Sequence, residues 1–407
     1  MTAEAIYKKH TSIEHRKKFA QFFTPESVAR IMASWLSANP QLQTVLEPAF
    51  GLGVFSRILI NENSGIQIKG FDVDPKIFQT AEQNFSGTKN IELHLEDYLF
   101  NDWENKYDGI ICNPPYFKFH DYRSKETLSE ISKRLHVKLS GFTNIYTLFL
   151  LKSIFQLRDN GRLAYIVPSE FLNSDYGIRI KNYLLKSKTL RHIIIVDFKE
   201  NIFDDALTTS AILLLAKDKY SEKLQISSIQ NLRELQIIED YIQKYPNSNH
   251  KNVLKTKSID PNKKWRVYYQ NQASAKYKNL IKLSQAAKVT RGIATGANEY
   301  FSFSAEKAKK YGIEENYLLP VITRAKHIET SFFTAKDFEK LKSSNANIFL
   351  LDADKKKQSQ AVKKYIALGE KNEIHKKYLT SKRSPWYKLE KRPAPPIWVG
   401  VFNRNEK

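Results

Sequence analysis

Tyr107-Asp-Gly-Ile-Ile-Cys-Asn-Pro-Pro-Tyr116 is the stretch on which the reading of this chain turns. Its first six residues are a short β-rich run, the pattern of a buried strand, with Cys112 in the strand core. The last four, Asn113-Pro114-Pro115-Tyr116, leave that strand as a stiff turn, because a residue before proline is held extended. Asn113 offers a side-chain carbonyl, Pro114 a backbone carbonyl and Tyr116 a flat ring. Two acceptors beside a stacking platform suit an exocyclic amino group on a planar ring. At average amino-acid usage the tetrapeptide arises in roughly one chain of this length in a thousand. That rarity makes the bland alternative, a rigid turn with a core tyrosine, the weaker reading.

Working outward, strand-like and helix-like segments alternate through the amino-terminal half, which predicts an α/β domain with a mostly parallel sheet. Strands are expected at 43–46, 66–71, 91–95, 107–112, 163–167, 191–197 and 208–215. The last two have no room for a crossover helix between them and should pair antiparallel. Thr24-Pro25-Glu26 reads as a helix start with Thr24 as N-cap. Further helices are expected at 52–60, 75–85, 142–157 and 176–185, and a loop over 118–141. After the first strand comes Glu47-Pro48-Ala49-Phe50-Gly51-Leu52-Gly53, whose glycines let backbone approach a ligand. Asp72 and Asp74 end the second strand, where an acid can hold ribose hydroxyls; Asp97 follows the third, placed to accept from an adenine amino group. The dinucleotide pattern is incomplete, since Ser56 stands where its third glycine would fall. By themselves these features leave nicotinamide and S-adenosylmethionine sites both open.

The 407 residues carry a formal net charge of +22. Residues 1–250 hold 31 Lys and Arg against 29 Asp and Glu, whereas residues 251–407 hold 34 against 14. An excess confined to one region points to a polyanion, with nucleic acid ahead of an anionic membrane. A single cysteine excludes an intrachain disulfide and suits a reducing cytoplasm. No apolar run reaches membrane-spanning length, and no metal-ligand spacing is present, so neither a membrane nor a metal is expected. Composition turns polar and then basic near Tyr245-Pro-Asn-Ser-Asn-His250, which predicts a first domain over 1–230, a linker over 231–260 and a second domain over 261–407.

Taken together, these residues resemble the gamma-class N6-adenine-specific DNA methyltransferases. The resemblance covers roughly residues 14–407 and is strongest over 17–216. It implies a Rossmann-like, S-adenosylmethionine-dependent methyltransferase fold with a seven-stranded mixed sheet, followed by a basic α+β target-recognition domain. Gln21-Phe-Phe-Thr24-Pro25 looks like the family's first motif, putting Thr24 beside the methionine part of the cofactor. Residues Glu47, Pro48, Ala49, Gly51 and Gly53 resemble the cofactor loop, with Asp72 on the ribose and Asp97 on the cofactor adenine. Asn113, Pro114 and Tyr116 match the catalytic motif, Asn113 also bordering the cofactor. Phe203 resembles the ring that stacks on a flipped-out base. In the basic part, Val289-Thr-Arg291-Gly-Ile-Ala-Thr295-Gly-Ala-Asn298 resembles a recognition-domain segment, making Arg291, Thr295, Asn298 and Lys326 expected DNA contacts.

The implied partner is double-stranded DNA, bound by a monomer in the bacterial cytoplasm among the nucleoid, with any cognate restriction endonuclease on a separate chain. The strand-like run at 397–402 ends the sequence in mid-domain, so the recognition part is expected to be truncated. Rival readings are transfer to another exocyclic amino group, such as cytosine N4, ribosomal guanine N2 or a protein glutamine. An inactive DNA-binding module is a further one, and a dehydrogenase a distant third. Motif order and Asn rather than Ser at position 113 lean towards adenine.

Overall fold

Strands buried at nearly every position build the centre of the first unit. In the computed structural model, residues 2–116, 125–137, 144–196, 209–247, 253–269, 280–281, 283–355 and 357–399 are described, and they divide into compact units at 1–278 and 279–407. Helices α1 (Ala3–His10), α2 (Ile13–Lys18) and α3 (Glu26–Ser37) precede β1 (Thr44–Glu47), α4 (Val54–Glu62), β2 (Gln67–Asp72), α5 (Pro75–Asn84), β3 (Ile91–Leu95) and β4 (Tyr107–Cys112). Next come α6 (Lys125–Arg134), α7 (Ile145–Gln156), β5 (Leu157–Pro168), α8 (Gly177–Lys186), β6 (Leu190–Val196) and β7 (Ser210–Ala216). The unit finishes with β8 (Lys223–Ile229), α9 (Leu235–Lys244), β9 (Val253–Lys255) and α10 (Arg266–Tyr269).

The sheet order is β3-β2-β1-β4-β5-β7-β6-β8-β9. Strand β7 is antiparallel to both neighbours, as its short connection to β6 requires, and β9 is antiparallel to β8; the other pairs are parallel. Ile110, Cys112, Leu163, Tyr165 and Val167 pack on one face with α7 and α8. Ile111, Ala164 and Ile166 pack on the other with α3, α4 and α9. A sheet covered on both faces explains why its strands read as continuous apolar runs.

Four expectations need correction. Among the described residues the mixed sheet has nine strands rather than seven, because Leu224, Ile226 and Ile229 bury as β8 beside β6 and β9 adds to β8. Part of the stretch read as a linker, 231–260, is sheet and helix: the Trp35 ring of α3 stacks on Tyr241 and meets Tyr245 edge-on. Part of the expected loop at 118–141 is helix α6, since Ile131 and Leu135, one turn apart, both enter the core. Thr24 is not the N-cap of α3; Pro25 holds that position, and the Thr24 hydroxyl is engaged elsewhere.

The second unit contains α11 (Leu283–Ala286), α12 (Asn298–Phe301), β10 (Ser302–Phe303), α13 (Ala305–Tyr311), β11 (Leu318–Pro320), α14 (Ala335–Ser343), β12 (Phe349–Leu351) and α15 (Gln360–Lys371). Its three strands form an antiparallel sheet in the order β10-β12-β11 around Phe301, Phe303, Ile348 and Val362. It is an α+β arrangement. The strand-like run at the end of the sequence is irregular over residues 397–399, with Ile397 and Val399 exposed and Trp398 edge-on to Phe333. Among the described residues no helix is long and apolar enough to cross a membrane.

Candidate active site

The carboxyl ends of β1, β2 and β4 open on one cavity of about 780 Å³, the position at which open α/β sheets bind ligands. Its floor is the loop after β1. Gly51 (φ +56°) and Gly53 (φ +69°) both lie in the left-handed region, and Gly53 starts α4. A Cβ on Gly53 would fall 2.5 Å from the Phe85 ring and 2.6 Å from Phe50, so neither backbone nor space admits a larger residue. The loop is tied down by Asp72, which accepts from Gly51 N at 2.9 Å and from Asp74 N at 3.0 Å. Burial pushes the Asp72 carboxyl up to about 6, opposed by those same backbone donors.

Glu47, at the end of β1, is 1% exposed and lines the same cavity. It accepts from the Ser56 amide at 3.2 Å and from its hydroxyl. Burial dominates and pushes its carboxyl up to about 8. Ser56, which breaks the dinucleotide glycine pattern, is thus the residue that holds Glu47. Pro48, Ala49 and Asp97 also line the cavity. The Asp97 carboxylate caps its own turn, accepting from Leu99 N at 3.0 Å.

Asn113 sits where β4 enters the cavity wall. Its amide nitrogen donates to Phe22 O at 2.7 Å and to the Thr24 hydroxyl at 3.0 Å. Those two acceptors assign the amide orientation and use both of its hydrogens. The carbonyl end accepts from the Tyr116 hydroxyl at 2.6 Å, and that hydroxyl also lies 3.0 Å from Ile166 O. One hydrogen cannot fully serve two acceptors, so the Tyr116 hydroxyl divides itself between the two oxygens. The Tyr116 ring is half-buried, near-parallel to Phe22 (6.0 Å between centroids, 18°) and edge-on to Tyr146. Pro114 is buried.

The segment before α3 closes one side of the cavity. Asp74, 1% exposed, accepts from His15 Nε2 at 2.7 Å and from Gln21 Nε2 at 2.5 Å, joining α2 and the following turn to the end of β2. Ala20 adopts φ +50° in that turn, and Lys17 and Phe22 line the cavity. Asp74, read beside Asp72 as an acid for ribose hydroxyls, is instead occupied by His15 and Gln21. Phe22, Gln21 and Ser56 escaped the sequence reading as site residues; Phe22 and Gln21 carried a local signal, their place in Gln21-Phe-Phe-Thr24-Pro25.

In the second unit, Thr295 is buried, and its hydroxyl donates to Asn298 Oδ1 at 2.5 Å and accepts from Ala297 N. The pair therefore builds the turn into α12, and Arg383 holds the same turn by donating to Thr295 O and Ala294 O. Asn298 itself stays exposed. Arg291 is exposed and ion-paired with Glu390 at 2.9 Å, while Lys326 is exposed. Phe203 lies outside the described residues.

Comparison with known proteins places the chain among relatives of known class. Residues 42–203 match the family model "Eco57I restriction-modification methylase", and residues 262–406 match "Type II methyltransferase M.Eco57I, C-terminal domain". The chain is 56% identical over 403 residues to Type II methyltransferase M.AccI of Acinetobacter calcoaceticus, covering 99% of this chain and 74% of that protein. Among solved structures it resembles a type I restriction-modification methyltransferase subunit from Streptococcus thermophilus (TM-score 0.52, 19% identity), over 60% of this chain and 58% of that one. It also resembles the type IIG restriction endonuclease BpuSI (TM-score 0.52, 14% identity), over 93% of this chain and 48% of the other. These two likenesses concern the fold.

Proposed function

The chain belongs to the Type II restriction–modification DNA methyltransferases of the Eco57I family, and from that premise we propose that it methylates the N6 amino group of an adenine turned out of double-stranded DNA. Its methyl donor is S-adenosyl-L-methionine, which when bound supplies an electrophilic methyl group on a sulfonium. The residues present fit such a ligand. A glycine-lined cradle, two carboxyls raised by burial and a third acid face one cavity, and a cationic ligand favours ionised carboxylates there. Glu47, Thr24 and the Pro48–Gly53 backbone would hold the cationic amino-acid end, Asp72 the ribose hydroxyls and Asp97 the adenine amino group.

One observation carries the choice of an amino-group substrate. Both hydrogens of the Asn113 amide are spent on Phe22 O and Thr24, which leaves the carbonyl end to accept. With the Pro114 carbonyl it can take the two hydrogens of an exocyclic amino group and turn the nitrogen lone pair outward. That is positioning and electrostatic stabilisation of developing positive charge. The proton leaves to water afterwards. As substrate arrives, the Tyr116 hydroxyl can turn wholly to Ile166 O, releasing a lone pair on Asn113. A base inside the helix cannot reach these acceptors, so it must flip. It would take the face of Tyr116 that Phe22 now covers, with Phe203 on its other side.

The remaining assignments follow the same reading. Residues 1–278 form the catalytic unit, and the basic unit that follows recognises the target, with Arg291, Asn298 and Lys326 toward DNA and Thr295 shaping their turn. The protein acts as a monomer in the cytoplasm, with any cognate nuclease on a separate chain. Asn113→Ala separates the roles: transfer should fall by at least about a thousandfold while cofactor affinity changes little. Equal loss of both would remove Asn113 from the catalytic role.

A further inference from the structure

Helix α7 is apolar on nearly every side, yet Lys152, Ser153 and Gln156 are polar and fully buried within it. All three face the segment that follows β3. Lys152 Nζ donates to the carbonyls of Tyr98 and Asn101, and lies 3.9 Å from the centroid of the Tyr98 ring and 4.6 Å from that of Trp103. Ser153 hydrogen-bonds to the Tyr98 hydroxyl at 2.9 Å, and that hydroxyl donates to Gln156 Oε1 at 2.6 Å. Gln156 Nε2 donates onward to Asp102 and Asn105.

The two carbonyls held by Lys152 bracket the turn that begins at Asp97. Within that turn Phe100 N and Asn101 Nδ2 donate to Asp97 O, at 3.1 and 3.0 Å, and Leu99 N donates to the Asp97 carboxylate. Asp97 and Tyr98 both line the cavity, whereas Lys152 does not reach it. An ammonium group in a core is costly unless its surroundings satisfy it. Burial has pushed this one down to about 7, yet even the neutral amine keeps hydrogens for both carbonyls.

From these contacts we propose that Lys152 is a positioning residue: it fixes the Asp97 turn so that the carboxylate meets the amino group of the cofactor's adenine ring. The inference rests on the reading of Asp97 given above, and its test separates the two. S-adenosyl-L-homocysteine and S-inosyl-L-homocysteine differ in that amino group, which inosine replaces by a carbonyl. Calorimetry on the full chain should find the adenosyl form bound about 30-fold more tightly, the worth of one hydrogen bond to a charged acceptor.

In Lys152→Met that ratio should fall below about threefold through weaker adenosyl binding alone, the inosyl affinity staying within about twofold. Gln156→Leu, which removes the bonds to Asp102 and Asn105 and one acceptor of the Tyr98 hydroxyl while Ser153 keeps that hydroxyl and Lys152 keeps both carbonyls, should keep the wild-type ratio despite lower stability. Lys152→Gln, which restores a donor, should recover part of it. A folded Lys152→Met with the wild-type ratio would overturn the role. Should Lys152→Met fail to fold, Lys152→Gln decides: a ratio untouched by its shorter reach also overturns the proposal. If the wild-type protein itself does not discriminate, the assignment of Asp97 fails instead.

Discussion

The Asn113 carboxamide is held at both ends, and each anchor can be removed alone. Thr24→Val keeps the shape and deletes one acceptor, leaving an amide hydrogen without its partner. Loss of about 1 kcal/mol of orientation predicts a roughly five- to tenfold fall in kcat at saturating cofactor, with weaker cofactor binding beside it because the same hydroxyl faces the amino-acid end. Tyr116→Phe keeps the ring against Phe22 but removes the hydroxyl that occupies the Asn113 carbonyl. Single-turnover kinetics should show a change of less than about tenfold, far smaller than for Asn113→Ala. A loss as large as that of Asn113→Ala would make the hydroxyl essential. Glu47 sets a pH dependence. Its carboxyl is raised to about 8 by burial, and a cationic ligand ionises it, so binding releases a proton. Cofactor affinity should therefore rise with pH up to about 8, by as much as about tenfold per unit, and calorimetry in two buffers should count the proton. The sign for folding is opposite: a raised carboxyl favours the folded ligand-free protein at low pH, and that gain is lost as pH climbs from the ordinary value to 8. Asn113, Glu47 and Asp97 were legible because each follows a strand at a place where ligands gather. Lys152 was not, since a lysine in an apolar helix carries no mark of the carbonyls it will meet.

Among the elements, the turn from β1 into α4 is the least forgiving. Gly53→Ala combines a left-handed backbone with contact against Phe50 and Phe85. A cost of about 2–4 kcal/mol is expected from those two terms. Urea unfolding should show it, together with weaker cofactor binding, while an unchanged midpoint would mean the loop has another conformation. Strand positions up to β7 could be read from apolar runs because both faces of the sheet are covered, and the antiparallel β6–β7 pair from the brevity of its connection. Strands β8 and β9 were missed for a physical reason. The stretch 231–260 is polar enough to resemble a linker, and the apolar residues from 217 onward are too sparse to announce a sheet edge. Helix α6 hid for the same reason, with Ile131 and, just past its end, Leu135 as buried anchors. The irregularity in β5, where Asn160 adopts φ +62° beside a register step between Tyr107 and Gly109, has no apolar pattern to announce it.

Over the whole molecule, the net charge of +22 lies almost entirely beyond residue 250, and composition alone revealed it. Binding to DNA of arbitrary sequence should weaken steeply with salt, the slope of log K against log salt counting the phosphates neutralised. Arg291→Ala should lower that slope by about one if Arg291 faces a phosphate, and should instead relax sequence preference if it faces a base. The way the chain divides was less legible, because the polar residues that suggested a boundary belong to the first unit. The central claim, transfer to adenine N6, is tested most directly with purified protein, S-adenosyl-L-methionine carrying a labelled methyl group, and unmethylated double-stranded DNA. Digestion to nucleosides should place the label in N6-methyladenine, within one short sequence, and Asn113→Ala should leave the DNA unlabelled. Label in N4-methylcytosine, or unlabelled DNA from a protein that still binds the cofactor, would contradict it.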